Sequence, residues 1–226
     1  LMMDQRVDDS LPRGVWRAVL AGVALVIALV VGGAIWLARG GADPPVAETV
    51  LWHDAAPGWI AGTRSELGPG AGEWIAAPAA ARLPADVFTL AVRARLEPES
   101  DPGAAWGVWL EEADGARVIY AISGEGYLTT RRCPPGDLPP AAIEDCPALR
   151  PEWRWMPYNR IRPPGEPNTI TLHREQPGAV RLRVNDERLG IAPVMWSGHW
   201  GVWQRGGREA GAVLLWEAAS VRGSEP

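Results

Sequence analysis

The spacing of hydrophobic and polar positions changes character once along this chain. From Ala18 to Ala38 the run AVLAGVALVIALVVGGAIWLA holds no charged or strongly polar side chain. At 1.5 Å per residue such a helix reaches roughly 31 Å, about the thickness of a bilayer hydrocarbon core. Arg17 and Arg39 bound the run, and Trp16 and Trp36 stand at its ends, where indoles favour the membrane interface. The pattern predicts one transmembrane helix. A secretory signal peptide has an apolar stretch of only about 7–15 residues and a small-x-small cleavage site. Leu37-Ala38-Arg39 is a poor one, so a retained anchor is expected. A buried core helix would show a polar stripe, absent here. Arg6, Arg13 and Arg17 precede the run, and after Arg39 no arginine follows until Arg64. The positive-inside rule then places the N-terminus in the cytoplasm and the remainder outside it.

Beyond residue 48 the period becomes two. In Phe88–Leu96, Phe88, Leu90, Val92, Ala94 and Leu96 share one face, and Thr89, Arg93 and Arg95 the other. One wet face with strict alternation marks an antiparallel strand. Trp106–Glu111 and Arg117–Ile122 flank Ala113-Asp114-Gly115-Ala116, a hairpin signal. Gly124-Glu125-Gly126 turns the chain into Tyr127–Arg131. Ile170 and Leu172 alternate with Thr169, Thr171 and His173, and Pro177-Gly178 suits a type II turn. Val180, Leu182 and Val184 alternate up to the turn Asn185-Asp186, and Trp200–Gln204 and Val213–Trp216 complete the set. Many short strands at this spacing predict an all-β, two-sheet antiparallel sandwich or barrel. The expected division is a cytoplasmic tail over 1–17, a transmembrane helix over 18–38, a linker over 39–47 and an extracytoplasmic β-sandwich domain over 48–226. Between Arg132 and Pro167 the alternation stops. Long irregular excursions in compact domains are often functional.

Composition narrows the function classes. The net charge is −5, and all 22 basic residues are arginine; no basic patch or aromatic-basic module suggests nucleic acid. The bias towards Ala, Gly, Pro and Arg suggests a GC-rich bacterial genome. The two cysteines, Cys133 and Cys146, flank a proline-rich loop on the expected oxidising side, where a disulfide persists. No His or Cys partner offers metal-ligand spacing, and Cys-x-x-Cys-His is absent, so neither metal nor haem is expected. Thirteen Trp against one Phe is unusual. Trp combines a large apolar area with one donor and suits both cores and binding surfaces.

The order Leu51-Trp-His-Asp54, Gly58-Trp59, Phe88–Leu96, Trp106-Gly-Val-Trp-Leu110, Tyr120-Ala-Ile-Ser123, Gly126-Tyr-Leu128, Asn168-Thr-Ile-Thr-Leu172, Arg183-Val-Asn185 and Gly201-Val-Trp203 resembles a concanavalin A-like, laminin-G-type jelly roll. It is similar to bacterial extracytoplasmic domains of glycoside-hydrolase-16-like or keto-disaccharide-hydrolase-like type. The resemblance spans about residues 48–222 and implies two stacked antiparallel sheets. It does not imply activity, because one fold hosts many functions.

Candidate chemistry is sparse. Paired carboxylates spaced as Glu-x-Asp-x-x-Glu would supply a glycosidase nucleophile and acid; no such motif occurs, and Glu111-Glu112 with Asp114 falls at a hairpin, where a solvated turn is the expected role. His53 and Asp54 are adjacent in a strand and point to opposite faces. His173 and His199 are isolated and read as partly buried structural histidines. Ser123 lacks a nucleophile elbow. No dense Asp/Asn loop points to calcium. No catalytic residue and no cofactor is therefore expected. Two features remain. Ala24, Ala28 and Gly32 recur at every fourth helical position, a stripe that allows close approach of another transmembrane helix. Trp153, Trp155, Met156 and Tyr158 form a candidate contact set for a partner or a sugar, since aromatics, Met and Arg are enriched in interface cores.

The leading expectation is a non-catalytic, membrane-anchored accessory subunit of a bacterial membrane-protein complex, with an electron-transfer or photosynthetic complex as one setting. Its partners would be membrane lipid and other membrane subunits, engaged through helix and sandwich. The alternative is a membrane-tethered carbohydrate-binding module using exposed Trp. A glycoside-processing enzyme ranks third, for want of the carboxylate motif.

Overall fold

A computed structural model describes residues 13–40, 49–54, 58–136, 143–176, 178–185, 187–194 and 196–223. The expected tail up to residue 12, most of the expected linker, Pro177 and Asp186 lie outside them. Two compact units divide between Pro44 and Pro45. The first contains helix α1 (Arg13–Gly40), which begins ahead of the apolar run. Within it, Val15–Ala34 is long and apolar enough to cross a membrane, and none of that span is buried.

The second unit is the predicted all-β sandwich, and every strand pairing in it is antiparallel. One sheet runs β1 (Thr49–Asp54), β13 (Ala212–Gly223), β4 (Phe88–Leu96), β9 (Asn168–Gln176), β10 (Ala179–Val184) and β11 (Glu187–Pro193), with β2 (Arg64–Leu67) also on β13. The other runs β3 (Gly72–Ala76), β12 (Trp196–Arg205), β5 (Ala105–Glu112), β6 (Arg117–Ser123), β7 (Tyr127–Cys133) and the two-residue β8 (Met156–Pro157).

Alternation dictates the core. On β4, Leu90 pairs with Val221 and Leu172, and Leu172 with Leu182; Val92 pairs with Ala219 and Ile170, and Ile170 with Val184. These apolar rows are buried. Facing them, Trp106, Val108, Leu110, Val118, Tyr120, Ile122 and Val202 belong to the same cluster. Indoles do the work that Phe and Leu do in most cores. Trp106 meets Trp216 edge-on at 5.6 Å, in the offset geometry favoured by the ring quadrupole. Each indole N–H needs an acceptor when buried: Trp216 donates to Gln204 Oε1 at 3.2 Å and Trp200 to the Ala81 carbonyl at 2.6 Å. At the end of β1, Asp54 accepts the backbone N–H of Trp59, Ile60 and Ala61 and so fixes the following turn. His53 is exposed and Asp54 buried, on opposite faces as the spacing requires. The hairpin turns hold Gly115 and Gly126 at φ +83° each, a region open to glycine without a Cβ penalty.

Candidate ligand-binding groove

The site is built on the face of the second sheet that turns away from the core. Two Trp-Gly-Val-Trp segments, 106–109 on β5 and 200–203 on β12, pair antiparallel so that Val108 meets Val202, Trp109 meets Gly201 and Trp203 meets Gly107. Residues three apart in a strand point to opposite faces. Trp106 and Trp200 therefore enter the core, while Trp109 and Trp203 lie on the outer face. Each outer indole sits beside a glycine because nothing larger fits: a Cβ at Gly201 would stand 2.5 Å from the Trp109 ring and 2.2 Å from the Ile75 carbonyl. Trp109 Nε1 donates to the Val202 carbonyl at 3.0 Å.

This outer face is covered by its own chain. Cys133, the last residue of β7, and Cys146 form the expected disulfide, with the sulfurs 2.01 Å apart. The bridge ties the excursion after β7 back onto the sheet. Ile143 and Cys146 pack with Trp109, Ile119, Ala121 and Trp203 in a second apolar cluster, against which Trp155 and Trp74 lean. Arg131 lies beneath, donating to the Cys146 carbonyl at 3.0 Å and to Thr129 Oγ1 at 2.9 Å. Burial lowers its pKa.

Next to this plug the face opens into a groove of about 730 Å3 whose lining includes Trp155, Tyr127, Glu144, Arg205 and Ser123. Trp155 Nε1 donates to Glu144 Oε1 at 3.0 Å, and Arg205 donates to Glu144 Oε2 at 2.6 Å. The Arg205 guanidinium lies 5.8 Å from the Trp203 ring centroid, within cation–π range. Burial pushes the Glu144 carboxyl upward, but the hydrogen bond from Arg205, the residue's own backbone N–H, the Arg205 charge and, last, the bond from Trp155 together outweigh it and hold the group below its ordinary value. Glu144 thus stays ionised, an acceptor rather than an acid. Trp155 holds φ at +46°, rare for a bulky residue and a mark of an over-determined position. At the rim, Asp101 accepts the backbone N–H of Ala210, Gly103 and Glu209. Those amides hold its carboxyl below its ordinary value and commit it to loop structure.

The four residues of the aromatic contact set do not stay together. Trp155 faces the groove. Trp153 is buried among the core residues, seated where a Cβ at Gly190 would come within 2.7 Å of its ring, with Arg150 stacked 4.7 Å from its centroid. Met156 and Tyr158 are half-buried and pack against the core. Trp153, at the end of the 3-10 turn Pro151–Trp153, thus lies in the core and not on the groove. His173 is buried, its Nδ1 2.7 Å from Thr89 Oγ1, as a structural histidine. His199 corrects the expectation: its side chain is 55% exposed and lies 3.3 Å from Glu111. Glu112 and Asp114 both bind Arg132 at the hairpin, in the turn role expected of them. The residues missed by sequence reasoning are Glu144, Arg205 and Tyr127. The repeated Trp-Gly-Val-Trp was the available signal, since it places one indole of each copy outside the core.

No known family profile and no curated protein matches the chain. Among solved structures it is similar to carbohydrate binding module CBM66 from Bacillus subtilis, at 9% identity and TM-score 0.43 over 73% of this chain and 97% of that one. It is also similar to the potassium-bound carbohydrate recognition domain of Emp46p, at 11% identity and TM-score 0.46 over 81% and 96%. A third is the galectin LEC-6 of Caenorhabditis elegans, at 12% identity and TM-score 0.41 over 71% and 96%.

Proposed function

We propose that this protein is a carbohydrate-binding module held at a membrane by α1, with the groove beside the disulfide-tied segment as its sugar site. The observation that carries the reading is that two aromatic residues, Trp155 and Tyr127, line one groove with the hydrogen-bonded pair Glu144 and Arg205. Ligand sites combine apolar and aromatic walls with a few placed polar groups, in volumes of roughly 300–1,000 Å3. A sugar ring has an apolar C–H face for an indole and hydroxyls that both donate and accept. Glu144 offers acceptors and Arg205 donors. We read the site as non-catalytic, because a carboxylate held ionised by two donors is a poor general acid. The test is a glycan array with the full chain in mild detergent. Specific binding to a defined saccharide is expected, with Trp155→Ala losing about tenfold or more, since aromatic contacts dominate such pockets. Absence of any saccharide hit, or full binding by Trp155→Ala, would refute the reading.

A second reading, the accessory subunit of a membrane complex, rests on the spacing of Ala24, Ala28 and Gly32 along α1, small residues at every fourth position that allow close approach of another helix. If that stripe seats a partner helix, Gly32→Leu should reach the membrane undiminished yet lose the partner on co-purification in mild detergent. Helix pairing in lipid depends on close packing rather than on hydrophobic burial.

A further inference from the structure

The other end of the same sheet face holds a groove of the same size, about 730 Å3, and shares no lining residue with the first. Its wall brings together Trp74 of β3, Trp109 of β5 and Arg117 of β6. The Arg117 guanidinium carbon lies 5.1 Å from the Trp109 centroid and 5.6 Å from the Trp74 centroid. Two indoles thus orient one cation.

Both carboxylates lining this groove have partners within the fold. Glu73 accepts from Gln204 Nε2 at 2.8 Å. Glu111 is the cross-strand neighbour of Arg117, but it is drawn to the β12 side by Ser197 Oγ and His199 Nδ1, each at 3.3 Å. Arg82 donates to the Ser197 carbonyl at 3.0 Å. Among the described residues Arg117 has no ion-pair partner, and its Nε has no acceptor; nor does the indole Nε1 of Trp74. Buried donors nearly always find an acceptor in the protein or in what binds to it. Both spare groups are donors, so the partner they call for is an acceptor, and the unpaired positive charge of Arg117 favours an anionic one. The rest of the lining is largely apolar, with Ala76, Pro78, Ala79 and Ala81.

We propose that this groove is a second binding site, for a carboxylate carried on a compact ring, with Arg117 stacked on Trp74 and Trp109 as the anion-binding residue. The guanidinium fork takes a carboxylate through parallel hydrogen bonds, a geometry an ammonium cannot reproduce. The ring of the ligand rests on the Ala-Pro-Ala wall. An acidic sugar residue and a small aromatic acid share this chemistry.

The test is calorimetric titration of the full chain in mild detergent with glucuronate and benzoate, against glucose and benzyl alcohol as uncharged counterparts. At least one carboxylate should bind, more weakly at high salt, and its uncharged counterpart should not. Binding of glucuronate alone assigns an acidic sugar, and of benzoate alone an apolar acid. Arg117→Gln should lower the affinity about tenfold or more, the scale of a charge-assisted hydrogen bond, and Arg117→Lys should fall between. If Arg117→Gln does not fold, arginine modification of the wild-type chain by phenylglyoxal, mapped by peptide mass spectrometry, gives the answer. The bound carboxylate should slow modification at Arg117 and leave Arg205 unchanged. The proposal is overturned if no carboxylate binds, if the uncharged counterparts bind equally, if Arg117→Gln or Arg117→Lys binds as wild type does, or if protection falls on Arg205. Arg205 lines the first groove and Trp155→Ala reads it, so the two sites stand or fall separately.

Discussion

Glu144 lies in a single 3-10 turn, Ile143–Asp145, and joins Trp155 to Arg205. Its folded-state pKa is held below the ordinary carboxyl value of 4.5, so the folded protein binds the Glu144 proton less readily than the unfolded chain does. The stability this contributes is therefore complete above about pH 4.5 and is lost as pH falls through the lowered value. Glu144→Gln should shallow the acid limb of a melting-temperature profile between about pH 5 and pH 3. It should not flatten that limb, because Asp101 and Asp114 are shifted the same way. Arg205 loses its counter-charge in this variant, and its side chain is only 11% exposed, so the melting temperature at neutral pH should also drop. An unchanged acid limb would show that Glu144 does not couple to folding.

At the scale of elements, the sequence was readable wherever one face was wet. β4 spans the nine residues Phe88–Leu96, the alternating run itself, and the hairpins turn at the predicted glycines. Strands were missed where they are short or broken by glycine and proline: β2, β3, the two-residue β8, and β11 with Gly190 inside it. The outer face of the second sheet was harder to read. Its apolar residues look like a second core because they are one, covered by a segment whose position depends on long-range closure. Period-two reasoning assigns a residue to a face but does not say what lies over it. The disulfide supplies the missing constraint, and the groove depends on it. Cross-linking a loop of this size should stabilise by ~3 kcal/mol in the chain-entropy model. Replacing Cys133 and Cys146 by Ser should lower stability on that scale and loosen Ile143 and Glu144 from the sheet. Sugar binding in the first groove should then weaken more than the strand signal in circular dichroism declines. Equal losses would place the segment's contribution in global stability alone.

At the scale of the whole molecule, the same two cysteines report which side of the membrane the sandwich occupies. Arginines crowd ahead of the apolar run and are sparse just behind it, so α1 should insert with its N-terminus inside. The sandwich then folds in an oxidising compartment, where a bridge such as Cys133–Cys146 forms and persists; in the cytoplasm the same thiols would be kept reduced. In cells quenched with a permeant thiol reagent before lysis, the full chain should carry no label on Cys133 or Cys146. A version lacking residues 1–38, made in the same cells, should carry label on both. The truncated chain controls for fold: if it oxidises as fully as the full chain, the bridge forms regardless of compartment and says nothing of side. Labelled cysteines in the full chain would place the sandwich in the cytoplasm and reverse the expected topology. With the expected pattern, both grooves would face the extracytoplasmic side, where the proposed module would meet envelope polysaccharide rather than cytosolic metabolites.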